Sequence, residues 1–566
     1  MIFRHGSLSR RDAFLLLIGA SSMHIWTLIF NARGLDTDQS IVINTHVSQQ
    51  DALGEFLTTT AVLKVTETKL ETMTATVTEL AAPTSTSRSL SPFDDLPPTD
   101  ILAHAPGWTL FRNVYMSNGT MFIVADEASR KKIPEIRMMT STGLEAVNTP
   151  ENIALREPTP DNMRIISPEE AKERWVFTSK DANRPSFNRV WSVEGNTLLF
   201  NDPPQFLNHY YHFVAELFFG VQAFWHGAFS EPISTADALS PSSATHYSLR
   251  HPHAPPIHRA IFAHASADAW RDNPGFNSYF LRAALPSVVV ENQVDWDDRI
   301  RATRPKTGEP QTDARAWHFS VVLLTDRSAA HRGAVCGSQT QRTAAEAWDF
   351  MRLRGKLRGL HVGGWWAPLR EAVWRFAGAE EGLEAAIDMR QAKDPDKIVI
   401  SYISRQSARS RKLIADDHKL LVESLEELVA RKNKERADAQ PEDVPLEYEL
   451  TVVEAEKLTH DQQIRMAART TIMLGVHGNG LTHLVFMKPN RASTVIELFF
   501  PGGFAHDYYW TSRALGMRHL AVWNDTHRAY PNKPDVNYPE GFQGDFIPVH
   551  GPTVVQLIED RVAMKL

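Results

Sequence analysis

Histidines, carboxylates and arginines crowd beside apolar runs at four places in this chain, and each placement suggests a chemistry. In Leu474–Phe486 (LGVHGNGLTHLVF) an apolar run ends in a turn holding Gly475, Gly478 and Gly480 around His477, and LTHLVF then reads as a helix. A strand that enters a glycine-rich turn and then a helix N-terminus leaves backbone N–H groups unpaired and aimed at one spot, a natural seat for phosphate. The plainer alternative is a tight turn that needs glycine only for its backbone angles.

The second segment, Ser401–Lys412 (SYISRQSARSRK), carries Arg405, Arg409, Arg411 and Lys412 at the end of a strand. Ligands bind at that end of strands in open α/β sheets, and arginine grips phosphate oxygens bidentately. Arg405 is the foremost of the four; a basic loop in solvent is the rival reading. The third is Asn208–Gly220 (NHYYHFVAELFFG), which as a helix puts Asn208, His212 and Glu216 on one face. A histidine with a carboxylate one turn away is a general-base arrangement, the carboxylate fixing the tautomer. The same His209, His212 and Glu216 would alternatively bind a metal, or merely satisfy a half-buried helix. The fourth is Glu497–Tyr509 (ELFFPGGFAHDYY). Glu497 ends a strand, where a carboxylate often accepts from ribose hydroxyls, and Asp507 and Tyr508 would face the same cleft. A core-edge carboxylate paired to an arginine is the alternative.

The elements that must position these groups alternate. Thr197–Phe200, Arg259–Ala263, Phe319–Thr325, Lys397–Ile403, Leu450–Val453, Thr471–Val476 and Thr494–Leu498 read as buried strands. Tyr211–Trp225, Gln341–Gly355, Ile414–Leu428 and Asp461–Arg469 read as helices. That alternation predicts parallel sheets in an α/β fold, and the charged segment Gly378–Asp396 divides it into two lobes facing a cleft. Glu231–Pro256 and Arg431–Pro445 read as surface loops, which makes His251, His253 and His258 solvated rather than metal-binding. Neither Asp295-Trp-Asp297 nor Asp394-Pro-Asp396 clearly follows a buried strand, so no metal ligands are assigned.

A formal charge of −7 without a long basic block argues against a nucleic-acid partner. The single cysteine, Cys336, excludes an internal disulfide. Arg4, Arg10 and Arg11 precede the apolar run Ala13–Phe30, roughly 18 residues and enough to span a bilayer. Positive charge before it predicts residues 1–12 in the cytoplasm, a signal anchor at 13–30 and a lumenal remainder; a cleaved signal peptide is the rival. Residues 31–100 are rich in Thr, Ser and Pro and read as a stem. Within it Phe56, Leu63, Leu70 and Val77 recur every seven residues, which would suit a dimeric coiled coil, while a disordered or O-glycosylated spacer suits the composition equally. The sequons at Asn118 and Asn524 are compatible with N-glycosylation.

The order of these motifs resembles glycosyltransferase family 61. The resemblance rests on NHYYHFVAEL from Asn208, VVLLTDRSAAHRG from Val321, YISRQSARSRKLIADD from Tyr402, GVHGNGLTHLVFM from Gly475, then STVIEL and YYWTSRALGMRHL. It covers roughly Val190 to Leu520. Asn479 stands where the family usually has alanine, His483 where it has asparagine, and Asp416-Asp417-His418 replace an asparagine–acid pairing. The resemblance implies a GT-B-like pair of Rossmann-like lobes, an acceptor lobe at 101–390 and a donor lobe at 391–566. It implies an inverting transferase using a UDP-sugar, with no cofactor required and a divalent cation not expected. The acceptor would be a glycoprotein or glycan in the endoplasmic reticulum or Golgi, on a single-pass type II protein. N-acetylglucosamine and xylose are the favoured sugars. Donor binding would fall to Arg405, Arg409, His477, Gly478, Asn479, Gly480, Leu481 and Glu497. Asn208 and His209 would lie on the acceptor side, and His212, Glu216 or Asp507 would take the acceptor proton. A catalytically inactive lumenal binding module on the same fold is the alternative function.

Overall fold

The computed structural model describes residues 46–50, 56–60, 89–178, 183, 185–229, 254–305, 314–337, 342–354, 356–357, 364–379, 395, 397–440 and 442–566. The expected anchor, most of the stem, His251, His253, Asp394 and Asp396 lie outside those residues. Among the described residues no helix is long and apolar enough to cross a membrane. Backbone contacts divide the chain into Met1–Ser85 and Thr86–Leu566. In the first unit His46–Gln50 and Phe56–Thr60 pair as antiparallel strands. Phe56 is therefore a strand residue, not the first position of a coiled coil; the run of β-branched threonines after it favours the extended form.

The second unit holds two large sheets. The strands of the first are β1 (Asp100–Ala105), β2 (Trp108–Ser117), β3 (Thr120–Val124), β4 (Met163–Ile166), β5 (Val190–Phe200), β6 (Ile257–Phe262), β7 (Val289–Glu291) and β8 (Ala316–Thr325). They run in the order β7-β6-β5-β8-β2-β3-β4, with β1 also paired to β2. The neighbours β5 and β8 are parallel, with Phe200 opposite Thr325, so their carboxyl ends emerge side by side. The second sheet contains β9 (Lys397–Ser404), β10 (Glu447–Glu454), β11 (Ile472–Val476), β12 (Thr494–Leu498), β13 (Arg518–Trp523) and β14 (Thr526–Ala529). Its order is β10-β9-β11-β12-β13-β14, parallel except for the final hairpin. β11 and β12 are buried along their whole length, as strands covered on both faces must be. Ile403 lies opposite Gly475 and Gly475 opposite Glu497, which brings the loops after β9, β11 and β12 to one edge.

Three helical expectations change. Tyr211–Phe218 is a π-helix that continues as the α-helix Phe219–Ala228. Asn479–Phe486 is a 3₁₀-helix, and two of its last carbonyls accept from the indole N–H groups of Trp366 (2.9 Å) and Trp374 (2.8 Å). The helix after the arginine loop runs from Ala415 to Ala437, through part of the charged stretch expected to be a loop. Leu421, Leu425 and Leu428 anchor it, and Arg431 carries it on by pairing with both Glu435 and Glu559. Outside the site, His258 lies in β6, its Nδ1 accepting from the Asn196 N–H, and Asp295 closes a capping box on helix Gln293–Thr303.

Candidate active site

The turn after β11 is held from both sides. The His477 N–H donates to the Leu498 carbonyl at 3.0 Å, and the His477 carbonyl accepts from Arg411 Nη1 at 3.2 Å. The ring packs between Phe499, Tyr508 and Phe542. His477 Nδ1 lies 2.6 Å from Glu497 Oε1, and Glu497 Oε2 lies 2.7 Å from His519 Nε2. Burial pushes both imidazoles down to about 3 and the Glu497 carboxyl up. Glu497 is wholly buried with each oxygen held by a histidine. The ribose contact expected of Glu497 is not what its oxygens make here: the side chain fills an inward position on a parallel strand, between His477 and His519.

Arg405 arches over the turn, donating to the Ser410 carbonyl at 3.1 Å. A Cβ on Gly478 would sit 3.0 Å from Arg405 Nη1, so glycine is what lets the guanidinium approach the backbone. Arg411, at φ 58°, turns back toward His477. The Nε atoms of Arg405 and Arg411 are both buried without a partner, and neither arginine forms an ion pair among the described residues. Burial, and then the neighbouring Arg411 charge, lowers Arg405. Two half-buried cations facing the turn without a direct ion pair make a site that an anion would complete. Arg409 by contrast is exposed on the loop. Gly480 is close to the strand rather than to a ligand, since a Cβ there would meet Ile403 Cγ2 at 2.9 Å. The Leu481 N–H is spent on the Gly478 carbonyl at 3.0 Å, leaving Gly478, Asn479 and Gly480 ahead of the first internal bond of the helix.

Across from this turn, the π-helix presents His212. Its Nδ1 lies 2.6 Å from Glu216 Oε2, while Arg327 Nη1 lies 2.7 Å from Glu216 Oε1, and the Thr343 hydroxyl donates to that same oxygen. Arg327 follows β8 and Asp202 follows β5, and the adjacent strand ends bring them together: the Arg327 N–H donates to Asp202 at 2.8 Å. Burial works to raise the Glu216 carboxyl, but the Arg327 charge and the His212 hydrogen bond outweigh it and hold the group at about 2. Glu216 is therefore ionised, fully enclosed and engaged. His212 Nε2 has no partner among the described residues. Asp507 opens helix Asp507–Ala514, and burial pushes its carboxyl up to about 6 against the pull of His212. Asn208 does not share the His212 face; it is exposed and caps the short helix Pro204–Leu207. His209 is exposed, with its ring 4.8 Å from that of His212.

Asn479 joins the two walls. Its Oδ1 accepts from the Tyr211 N–H at 3.2 Å and from the Thr482 hydroxyl at 3.3 Å. His483 adds a second tie, with Nδ1 3.1 Å from the Tyr210 hydroxyl and Nε2 2.8 Å from Gln463 Oε1. The charges of His209, His212, Glu216, Asp507, Arg411 and His477 act on one another, so these groups form one polar cluster. The structure thus gathers most of the expected residues and adds Arg411, His519, Arg327, Asp202 and Thr343. Asn118 and Asn524 lie outside the cluster, exposed at hairpin turns with φ of 50° and 53°. Among the described residues no group of three or more His, Cys, Asp or Glu side chains is arranged to hold a metal ion.

Parallel α/β sheets, a basic glycine turn at strand ends and an oriented His–Glu pair describe an enzyme of group transfer. The family model for glycosyltransferase 61 matches residues 210–496, just over half of the chain. The chain belongs to glycosyltransferase family 61 and is a glycosyltransferase. The match takes in His212, Glu216, Arg327, Arg405, Arg411 and His477, and stops before Glu497, Asp507 and His519. No curated protein matches the chain.

Proposed function

We propose that this glycosyltransferase inverts its sugar, taking a UDP-sugar at the His477 turn and passing it to a hydroxyl held beside His212. The observation that carries this reading is the convergence of two guanidiniums that lack a direct ion pair, Arg405 and Arg411, on a glycine turn in the same polar cluster as the His212–Glu216 pair. The diphosphate would lie along the N–H groups of Gly478–Gly480, with the two arginines and His477 Nε2 on its oxygens. The sheets would act as the two lobes of a GT-B-like enzyme. His212 Nε2 removes the acceptor proton as the oxygen attacks C1 of the sugar. The C1–O bond to phosphate breaks, and UDP leaves with the electron pair. Glu216 is the orienting carboxylate, because its oxygens are occupied and it is already ionised far below neutral pH. The guanidiniums meet the charge that grows on the leaving diphosphate; preorganised donors of this kind are worth about 3–4 kcal/mol each. Glu497, held protonated by burial, donates to His477 Nδ1 and leaves Nε2–H to face the donor.

A second reading, favoured by the Asp507 value of about 6, makes that carboxylate the base. His212→Gln and Asp507→Asn separate the two: the variant of the base loses turnover while UDP binding persists. The acceptor is a glycoprotein or glycan, the sugar N-acetylglucosamine or xylose, and the setting the lumen of the endoplasmic reticulum or Golgi behind the 13–30 anchor. UDP release from a panel of UDP-sugars, with and without acceptor and with EDTA, tests the reading. Manganese-dependent rescue of EDTA-treated enzyme would refute the metal-independent form.

A further inference from the structure

At the opposite edge of the second sheet, where β13 begins, lies a cavity of about 340 Å³. Arg513, Arg518, Arg561, His519, Tyr509 and Tyr530 line it, and no carboxylate side chain does. Arg513 and Arg518 make no ion pair among the described residues. Arg561 is fixed, its Nε donating to Thr494 Oγ1 at 2.9 Å and its Nη1, at 3.2 Å, to the main-chain carboxyl oxygen of Leu566, which also lines the cavity. Arg513 lies over the Tyr530 ring at 4.2 Å, and Arg518 Nε is buried without a partner. Burial, and then repulsion from Arg518, lowers Arg561. The decisive group is His519, only 4 % exposed. Its Nε2 faces Glu497 at 2.7 Å, while its Nδ1 is buried with no partner.

We infer that this cavity is a second anion site, built for a hydrogen phosphate or a phosphate monoester and distinct from the donor turn. The arginines take the charged oxygens, as forked donors do. A neutral His519 that gives its Nε2–H to Glu497 keeps a lone pair on Nδ1, which accepts from the hydroxyl of a singly protonated phosphate. Such a group still carries that proton near pH 6. Sulfate has the same shape and no proton to give, so the site discriminates between them. An anion held here lies two side chains from the donor turn, through His519 and Glu497 to His477.

The test is calorimetric titration of the full chain with inorganic phosphate in the presence of saturating UDP, repeated with sulfate at matched ionic strength. Phosphate is expected to bind with UDP in place, and sulfate roughly tenfold more weakly, the difference of one hydrogen bond to a charged group. The double variant Arg513→Ala, Arg518→Ala should lose phosphate binding by tenfold or more while keeping its UDP affinity. Arg405→Ala should keep phosphate binding whether or not it binds UDP, so failure of the donor reading leaves this outcome intact. Displacement of phosphate by UDP, or phosphate binding unchanged in the double variant, overturns the second site. Equal binding of sulfate overturns its assignment to phosphate.

Discussion

Replacing Arg327 with methionine removes the buried cation that keeps Glu216 ionised, and with it the orientation of His212. Arg327 Nη1 is 2.7 Å from Glu216, and both side chains are almost wholly enclosed. The Glu216 carboxyl is drawn from an ordinary 4.5 to about 2, which corresponds to about 3 kcal/mol of stability at neutral pH at ~1.4 kcal/mol per unit. A depressed carboxyl contributes that stability above pH 4.5 and loses it as pH falls toward 2. Breaking a buried pair from one side costs about 3–5 kcal/mol, so the two routes agree in size. In Arg327→Met burial prevails, Glu216 takes a proton and donates it to His212 Nδ1, and Nε2 then carries a hydrogen instead of a lone pair. Turnover measured as UDP release should fall about 10²–10⁴-fold, the usual worth of a general base. UDP affinity by calorimetry should stay within about twofold, since additivity holds between groups that share no contacts. Urea unfolding should show the stability loss at pH 7, and the gap from wild type should close toward pH 3. Arg327→Lys, which keeps the charge, should recover part of both. Wild-type turnover in Arg327→Met, or a stability gap independent of pH, would refute the reasoning.

Other consequences can be checked separately. Gly478→Ala pushes a Cβ to 3.0 Å from Arg405 and should weaken UDP binding with little change in unfolding, whereas Gly480→Ala strikes Ile403 at 2.9 Å and should cost about 1–3 kcal/mol of stability. Asn479→Ala leaves the Tyr211 N–H without its acceptor; about 1–3 kcal/mol should be lost in denaturant titration, and turnover should drop with it. On the second reading, in which Asp507 is the base, wild-type activity falls as pH drops through about 6 because that carboxyl protonates, and Asp507→Asn loses turnover at every pH while retaining UDP binding; turnover retained in that variant leaves His212 as the base.

The inner strands β9, β11 and β12 of the second sheet were readable because they are buried on both faces and therefore appear as apolar runs, and β12 is recovered residue for residue as Thr494–Leu498; half-exposed β10 was read only over Leu450–Val453, and the hairpin strands β13 and β14 were not read. The glycine turn and the His212–Glu216 pair were readable because each is local in the chain. What escaped is what only folding brings together. Arg327 stands at the end of an apolar run and Glu216 lies within a helix, and nothing in either segment reveals the other. The Asp326-Arg327 pair closing β8 was the one available signal. Arg411 was visible among four basic residues, but its aim depends on a positive φ that no neighbouring glycine announces. His519 reaches Glu497 only because β12 and β13 are adjacent and parallel. Helix type was also hidden, since the spacing of Tyr211–Phe218 serves an α-helix as well as the π-helix found, and LTHLVF is too short to distinguish α from 3₁₀. Asn479, a departure from the family pattern, is explained by an interaction across the cluster with Tyr211 rather than by the turn that contains it.

The central claim is that Arg405 and Arg411 hold a nucleotide diphosphate over the His477 turn. Calorimetric titration of UDP and of uridine into wild type and Arg411→Ala tests it most directly. The account predicts that wild type prefers UDP to uridine strongly and that Arg411→Ala loses UDP affinity about tenfold or more, with little change for uridine. Equal UDP affinity in the two proteins, or uridine binding as tightly as UDP, would contradict it.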